Sequence, residues 1–133
     1  MNTTIQGNSV IASKAYSFAL EIIKVYKYLL NEKKEYVLSK QLLRSGTSIG
    51  ANINEAISGQ SKRDFIHKLS ISLKEATETA YWLNLLKDSE YINHVFYNSL
   101  HQSCVEIIKI LRSIILTTKE KYFAEKSKPT HNS

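Results

Sequence analysis

Three places in the sequence hold residue types that could do chemistry. Arg63 and His67 stand four apart in "SKRDFIHKL", which sets a cation and an acid–base imidazole one helical turn from each other, a pairing suited to phosphodiester cleavage. His101 and Cys104, in "HQSC", have the spacing of two metal ligands on a helix. "RSGTSIGANINEAISG", from Arg44 to Gly59, is crowded with glycine, serine and asparagine, as a phosphate-cradling loop would be.

None of the three completes its chemistry. Histidine works as an acid or base only when other groups position it, so Arg63 and His67 read as polar surface residues and no catalytic residue is assigned. Two ligands do not make a zinc site, and Cys104 falls on an apolar stripe that marks it as core. Neither the Glu-x-x-His pairs of di-iron bundles nor a haem-attaching Cys-x-x-Cys-His occurs in the sequence. No metal or cofactor is therefore expected. The glycine-containing run lacks the terminal Lys-Ser/Thr and the preceding strand that a phosphate loop needs.

The elements that would position these residues are helices. A chain of 133 residues with four glycines and one proline cannot supply the turns of a β-sandwich. Placing apolar positions at 100° per residue predicts a first helix from about Ser13 to Asn31, with Phe18, Ala19, Ile22, Ile23, Tyr26, Leu29 and Leu30 on one face. "NEKKE" is a charged connector. A second helix runs from near Tyr36 to about Ser58. A third begins at Ser61, an N-cap with Asp64 at the third helical position; its inner stripe is Phe65, Leu69, Leu73, Ala76, Ala80 and Leu83, and it stops around "KDSEY". A fourth starts near Asn93 and carries Leu100, Cys104, Ile107, Ile108, Leu111, Ile114, Ile115 and Thr118. Short connectors make neighbours antiparallel, so the expected fold is all-α, an antiparallel up-down-up-down four-helix bundle. It should occupy residues 1–124, with 125–133 a disordered polar tail.

Register decides the nature of the Arg44–Gly59 run. With Leu38 at 0°, Leu42, Ser45, Ile49, Asn52, Ile53 and Ala56 all lie within about 60° of it. The apolar stripe passes straight through, so the run is helix. Its two interior glycines each cost about 1 kcal/mol, which close approach of a neighbouring backbone at Gly46 and Gly50 would offset. Gln41, Ser45, Ser48, Asn52 and Glu55 form a candidate polar seam, either a device that specifies packing register or a site of chemistry.

"QLLRSGTSIGANINEA" followed by "DFIHKLSISLKEATETAYWLNLL" resembles the bacterial four-helix-bundle family encoded in intervening sequences of 23S rRNA genes, which is related to the accessory variability protein of diversity-generating retroelements. Gln41, Leu42, Arg44, Ser45, Ser48, Ile49, Asn52, Ile53 and Glu55 match its first run. Phe65, Leu69, Leu73, Glu75, Glu78, Thr79, Trp82 and Leu83 match its second. Ala56 departs from it, standing where the family usually has glycine. The resemblance is strong over residues 38–86. It implies a homopentameric bundle with a basic surface, no known enzymatic activity, and RNA or another nucleic acid as partner.

Two surfaces can be read beside that resemblance. On the third helix Ile71, Trp82 and Leu85 gather opposite the inner stripe, together with Glu75 and Glu78, and form a candidate oligomer interface whose acids would pair with a neighbour's cations; an incidental surface stripe is the alternative. The formal charge is +6, and the excess sits on the first and last helices. Lys24, Lys27, Arg112 and Lys119 could form one basic surface across those two helices for phosphates, or simply a solvated face. One cysteine, no charged leader with an apolar core and no apolar run of about 18 residues point to a cytoplasmic protein without a membrane span. The expected function is a non-enzymatic oligomeric bundle that binds nucleic acid. The competing readings are a helical ribonuclease toxin using Arg63 and His67, one residue short of the Arg-x(4 to 6)-His signature, and a protein-only adaptor for a reverse transcriptase.

Overall fold

The computed structural model describes residues 3–127, with side chains from Asn8 onward. Four helices account for nearly all of it: α1 Thr3–Asn31, α2 Leu38–Ile57, α3 Lys62–Asp88 and α4 His94–Lys126. Cross-helix contacts fix their directions. Gly50 of α2 lies against Ala15 of α1 and Gly46 against Ile22; Glu55 pairs with Lys68 and Arg44 with Glu75; Cys104 bonds to Ala76 and Tyr97 to Asn84; Lys14 pairs with Glu106 and Tyr28 packs on Phe96. In each pair one number rises as the other falls, so every neighbouring pair is antiparallel. The packed pairs are α1–α2, α2–α3, α3–α4 and α4–α1, and among the described residues the backbones of diagonal helices stay more than 8 Å apart between Cα atoms. This is the up-down-up-down ring.

The core is a ladder of aliphatic side chains from all four helices. Ile22, Leu29, Leu42, Ile49, Ile53, Leu83, Leu86 and Leu111 are wholly inaccessible to solvent, and burial of each such side chain contributes about 1.5–3 kcal/mol. In α1 the buried stripe is Ile11, Ala15, Phe18, Ile22, Val25 and Leu29, with steps of 4, 3, 4, 3 and 4. Ala19, Ile23, Tyr26 and Leu30, expected on that face, are only half-buried. The buried stripe reaches back to Ile11, and α1 begins at Thr3, ten residues before Ser13. Helix α4 continues to Lys126, two residues past the expected end of the bundle, and residues 128–133 of the predicted tail lie outside the described residues.

Caps set the other boundaries. Ser61 Oγ accepts from Asp64 N at 3.1 Å, and Asn93 Oδ1 accepts from Phe96 N at 2.9 Å. At the end of α3, Tyr91 N donates to Leu86 O and Glu90 N to Lys87 O, with Glu90 in the left-handed region at φ 67°; this is the Schellman closure. Helix α2 starts at Leu38 because Glu35 caps it. Its carboxylate accepts from Val37 N (3.1 Å), Leu38 N (2.9 Å) and Ser39 N (2.7 Å), and Ser39 Oγ donates to Glu35 O at 2.8 Å. The "NEKKE" connector thus ends in a structural acid.

Burial alone would push the Glu35 carboxyl up, but the amides of Leu38, Ser39 and Val37 and the Ser39 hydroxyl outweigh it and hold the group below its ordinary value of 4.5. A depressed folded pKa contributes stability that is present above 4.5 and is lost as the pH falls through the folded value. Glu35→Gln should cost about 1–2 kcal/mol at neutral pH. It should also flatten the loss of stability that denaturant titrations of the wild type show as the pH falls below 4.5.

Candidate nucleic-acid interface

The residues between α2 and α3 come together first, because small side chains there let the helices approach. Ser45, Gly46, Ser72, Ala76 and Thr79 are all buried along this line. Ser72 Oγ donates to Ile49 O at 2.8 Å, which ties α3 to the backbone of α2. Thr79 Oγ1 and Ser45 Oγ are hydrogen-bonded at 2.9 Å, and Thr79 Oγ1 also reaches Glu75 O at 2.8 Å. Each buried hydroxyl therefore has a partner, as burial demands.

The polar seam read within α2 is redistributed by this packing. Only Ser45 of its five members is buried. Ser48 Oγ donates to Arg44 O, and Asn52 Nδ2 donates to Ser48 O at 2.8 Å, each satisfying itself one turn back on its own helix. Gln41 is exposed, and the exposed Glu55 pairs with Lys68 at 2.8 Å. The seam that forms runs between helices, and its other half is Ser72 and Thr79, hydroxyls that a search for apolar residues skips. Their spacing of seven on the inner face of α3 is the available signal.

The outer face of α3 is less open than its wheel position implies. Arg44 of α2 reaches across to Glu75 (3.2 Å) and Glu78 (3.0 Å), so those acids are neutralised within the chain, where the sequence left them for a neighbour. The Glu75 side chain is only 13% exposed. Ile71, Trp82 and Leu85 are half-buried, and Trp82 packs against the core. The reason is width: α3 packs against both α2 and α4, so its covered arc extends well past one apolar stripe. The Trp82 indole N–H is buried with no acceptor among the described residues. Tyr81, in edge contact with it, stays 57% exposed.

The four expected phosphate-binding cations do not form one patch. Helices α1 and α4 are neighbours, as expected, but the antiparallel register sets Lys24 and Lys27 beside the start of α4, near Phe96. Arg112 and Lys119 lie roughly 20 to 35 Å further along it at 1.5 Å per residue. Between the two pairs Lys14 is taken by Glu106 at 2.7 Å. Lys24 itself is paired with Glu21. Lys27, Arg112 and Lys119 are exposed and have no ion-pair partner among the described residues.

The residues that could do chemistry are dispersed. Arg63 and His67 are both exposed in the first turns of α3, and among the described residues no third group is hydrogen-bonded to either side chain. Cys104 is wholly buried; desolvation pushes its thiol up to about 12, and its Sγ donates to Ala76 O. A thiol so held is a poor metal ligand. His101 lies half-buried against Tyr97, with ring centroids 5.0 Å apart. Among the described residues no three His, Cys, Asp or Glu side chains gather as a metal would require, and no helix is long and apolar enough to cross a membrane.

Comparison with known proteins places this arrangement. No protein of curated function matches the chain. A crystal structure of a protein of unknown function from Bacteroides thetaiotaomicron, assigned to the S23 ribosomal protein family, is 55% identical to it, superposes with a TM-score of 0.81, and is matched over 82% of this chain and 97% of that one. The sequence profile of the 23S rRNA-intervening sequence protein family matches residues 8–113. That match spans α2, α3 and most of α1 and α4, and the chain therefore belongs to the 23S rRNA-intervening sequence protein family.

Proposed function

We propose that this chain is a non-enzymatic, self-associating helical scaffold of the cytoplasm that binds RNA through its positive surface. The observation that carries the reading is how the charges are used. Most carboxylates are already engaged: Glu21, Glu55, Glu75, Glu78, Asp88, Glu106 and Glu125 are ion-paired, and Glu35 is a cap. Lys27, Lys109, Arg112 and Lys119 are exposed without a partner among the described residues. The surface left over after internal pairing is thus positive, which is the footprint of a partner that carries phosphates. RNA or another nucleic acid is also the partner that the family resemblance implies.

Self-association rests on the exposed Tyr81 together with the accessible edges of the half-buried Ile71, Trp82 and Leu85, a patch that a second copy would cover. Five copies is the number the family resemblance implies. Light scattering on the wild type should return an oligomer, and a monodisperse monomer would contradict the claim.

The binding claim is tested by fluorescence anisotropy with a labelled single-stranded RNA, followed by recovery of the RNA on a denaturing gel. Saturable binding and intact RNA are expected. Cleavage that disappears in His67→Ala would establish the ribonuclease reading instead. No binding at low salt would sink the proposal.

A further inference from the structure

One face of the molecule combines cations, rings and unpaired amides, and it belongs to a single helix. On α4, Asn98, Gln102, Lys109, Arg112, Leu116 and Phe123 fall within about 40° of one line, and Lys119 lies about 60° from it. All seven are exposed, with Leu116 at 60% and Phe123 at 62%. One carboxylate, Glu120, lies on the stripe itself, about 40° from its line and against three cations, while Glu106 at the border is consumed by Lys14. Among the described residues, the side chains of Asn98, Gln102, Lys109 and Arg112 make no hydrogen bond within the chain.

At one end of the stripe His101 is built as a fixed platform. Its ring stacks on Tyr97 at 22° between planes. Tyr97 is in turn held by the Lys87 ammonium, 4.2 Å from its ring centroid, and by its hydroxyl's bond to Asn84. At the other end Phe123 stands against Tyr122 in edge contact at 5.6 Å. Roughly 33 Å separates His101 from Phe123 at 1.5 Å per residue, and Lys109, Arg112 and Lys119 are distributed between them.

Resting on the RNA reading above, we propose that the outer face of α4 is a track for single-stranded RNA, in which His101 and Phe123 stack on bases and Lys109, Arg112 and Lys119 contact the phosphates between them. Rings interleaved with cations suit a single strand, because its bases are free to stack on side chains while those of a duplex are stacked on one another. The amides of Asn98 and Gln102 offer donors and acceptors to base edges or ribose hydroxyls.

The test uses the full chain, a labelled unstructured RNA oligonucleotide, and the same RNA annealed to its complement. The wild type should prefer the single strand by at least about tenfold, and His101→Ala and Phe123→Ala should each weaken single-strand binding roughly tenfold, the value of a lost base stack. Their salt dependence should stay unchanged. Lys109→Glu with Arg112→Glu should instead reduce the magnitude of the slope of log K against log salt by about 0.7 for each phosphate lost. Wild-type binding that all these variants retain would overturn the track and leave the RNA reading standing, whereas a wild type that binds no RNA overturns both. Equal affinity for the duplex overturns the single-strand assignment. Variants that change the particle mass in light scattering, with RNA affinity unaltered, would show the face to be a subunit contact and overturn the proposal.

Discussion

Gly46→Val should lower the stability of the bundle by on the order of 3 kcal/mol, while Gly50→Ala, four residues away on the same helix, should raise it by about 1 kcal/mol. A Cβ built on Gly46 meets Cγ1 and Cγ2 of Ile22 at 2.9 Å, and Ile22 is wholly buried and β-branched, so it has no rotamer into which to retreat. The helix gains propensity from losing a glycine, but forced separation of α1 from α2 outweighs that gain. At Gly50 the nearest atom is Ala15 Cβ at 3.6 Å, an ordinary contact. A methyl group fits there without crowding, so the unfolded chain's loss of glycine freedom decides the sign. Thermal melts resolve the difference, since 3 kcal/mol is about 10 °C for a domain of this size. Equal effects at the two glycines would show that α1 and α2 are not closed against each other as described.

Thr79→Val should cost about 2 kcal/mol alone, and considerably less when it is combined with Ser45→Ala. The single change strands a buried hydroxyl, leaving Ser45 Oγ only a long 3.4 Å contact to Leu42 O. An unsatisfied buried donor carries the full penalty of desolvation, while removal of both partners leaves nothing to satisfy. The double-mutant cycle should therefore give a coupling of about 1 kcal/mol, measured by denaturant unfolding. Strict additivity would mean that the two hydroxyls do not bond across the helices.

These two cases also show where the fold can be read from the sequence. The continuous register of Leu42, Ile49, Ile53 and Ala56 converts an apparent loop into α2, and all four side chains are buried. A helical period is a property of spacing alone, so it survives the unusual composition of the run. Close approach at Gly46 is legible for the same reason. The partner of Ser45 is not, since Thr79 is 34 residues away and nothing local distinguishes a hydroxyl that faces another helix from one that faces water. Glu35 is hidden by its company, because a carboxylate next to two lysines reads as solvated connector until its three amide donors are in view.

The candidate site divides along the same line. Wheel positions suffice to place Arg112 and Lys119 outward on α4. They do not carry the register between α1 and α4, which separates those residues from Lys24 and Lys27. Nor do they reveal Arg44 crossing to Glu75 and Glu78, which converts an expected bond between subunits into one within the chain. The stack of His101 on Tyr97 under Lys87 is likewise a product of α3 meeting α4.

Central to the proposed function is that the positive surface left after internal pairing holds RNA. The most direct measurement is the affinity of the wild-type chain for an unstructured single-stranded RNA as a function of salt. Engagement of Lys109, Arg112 and Lys119 predicts a log–log slope of about −2 or steeper, at roughly −0.7 per phosphate neutralised. Binding indifferent to salt, or no binding at low ionic strength, would contradict it.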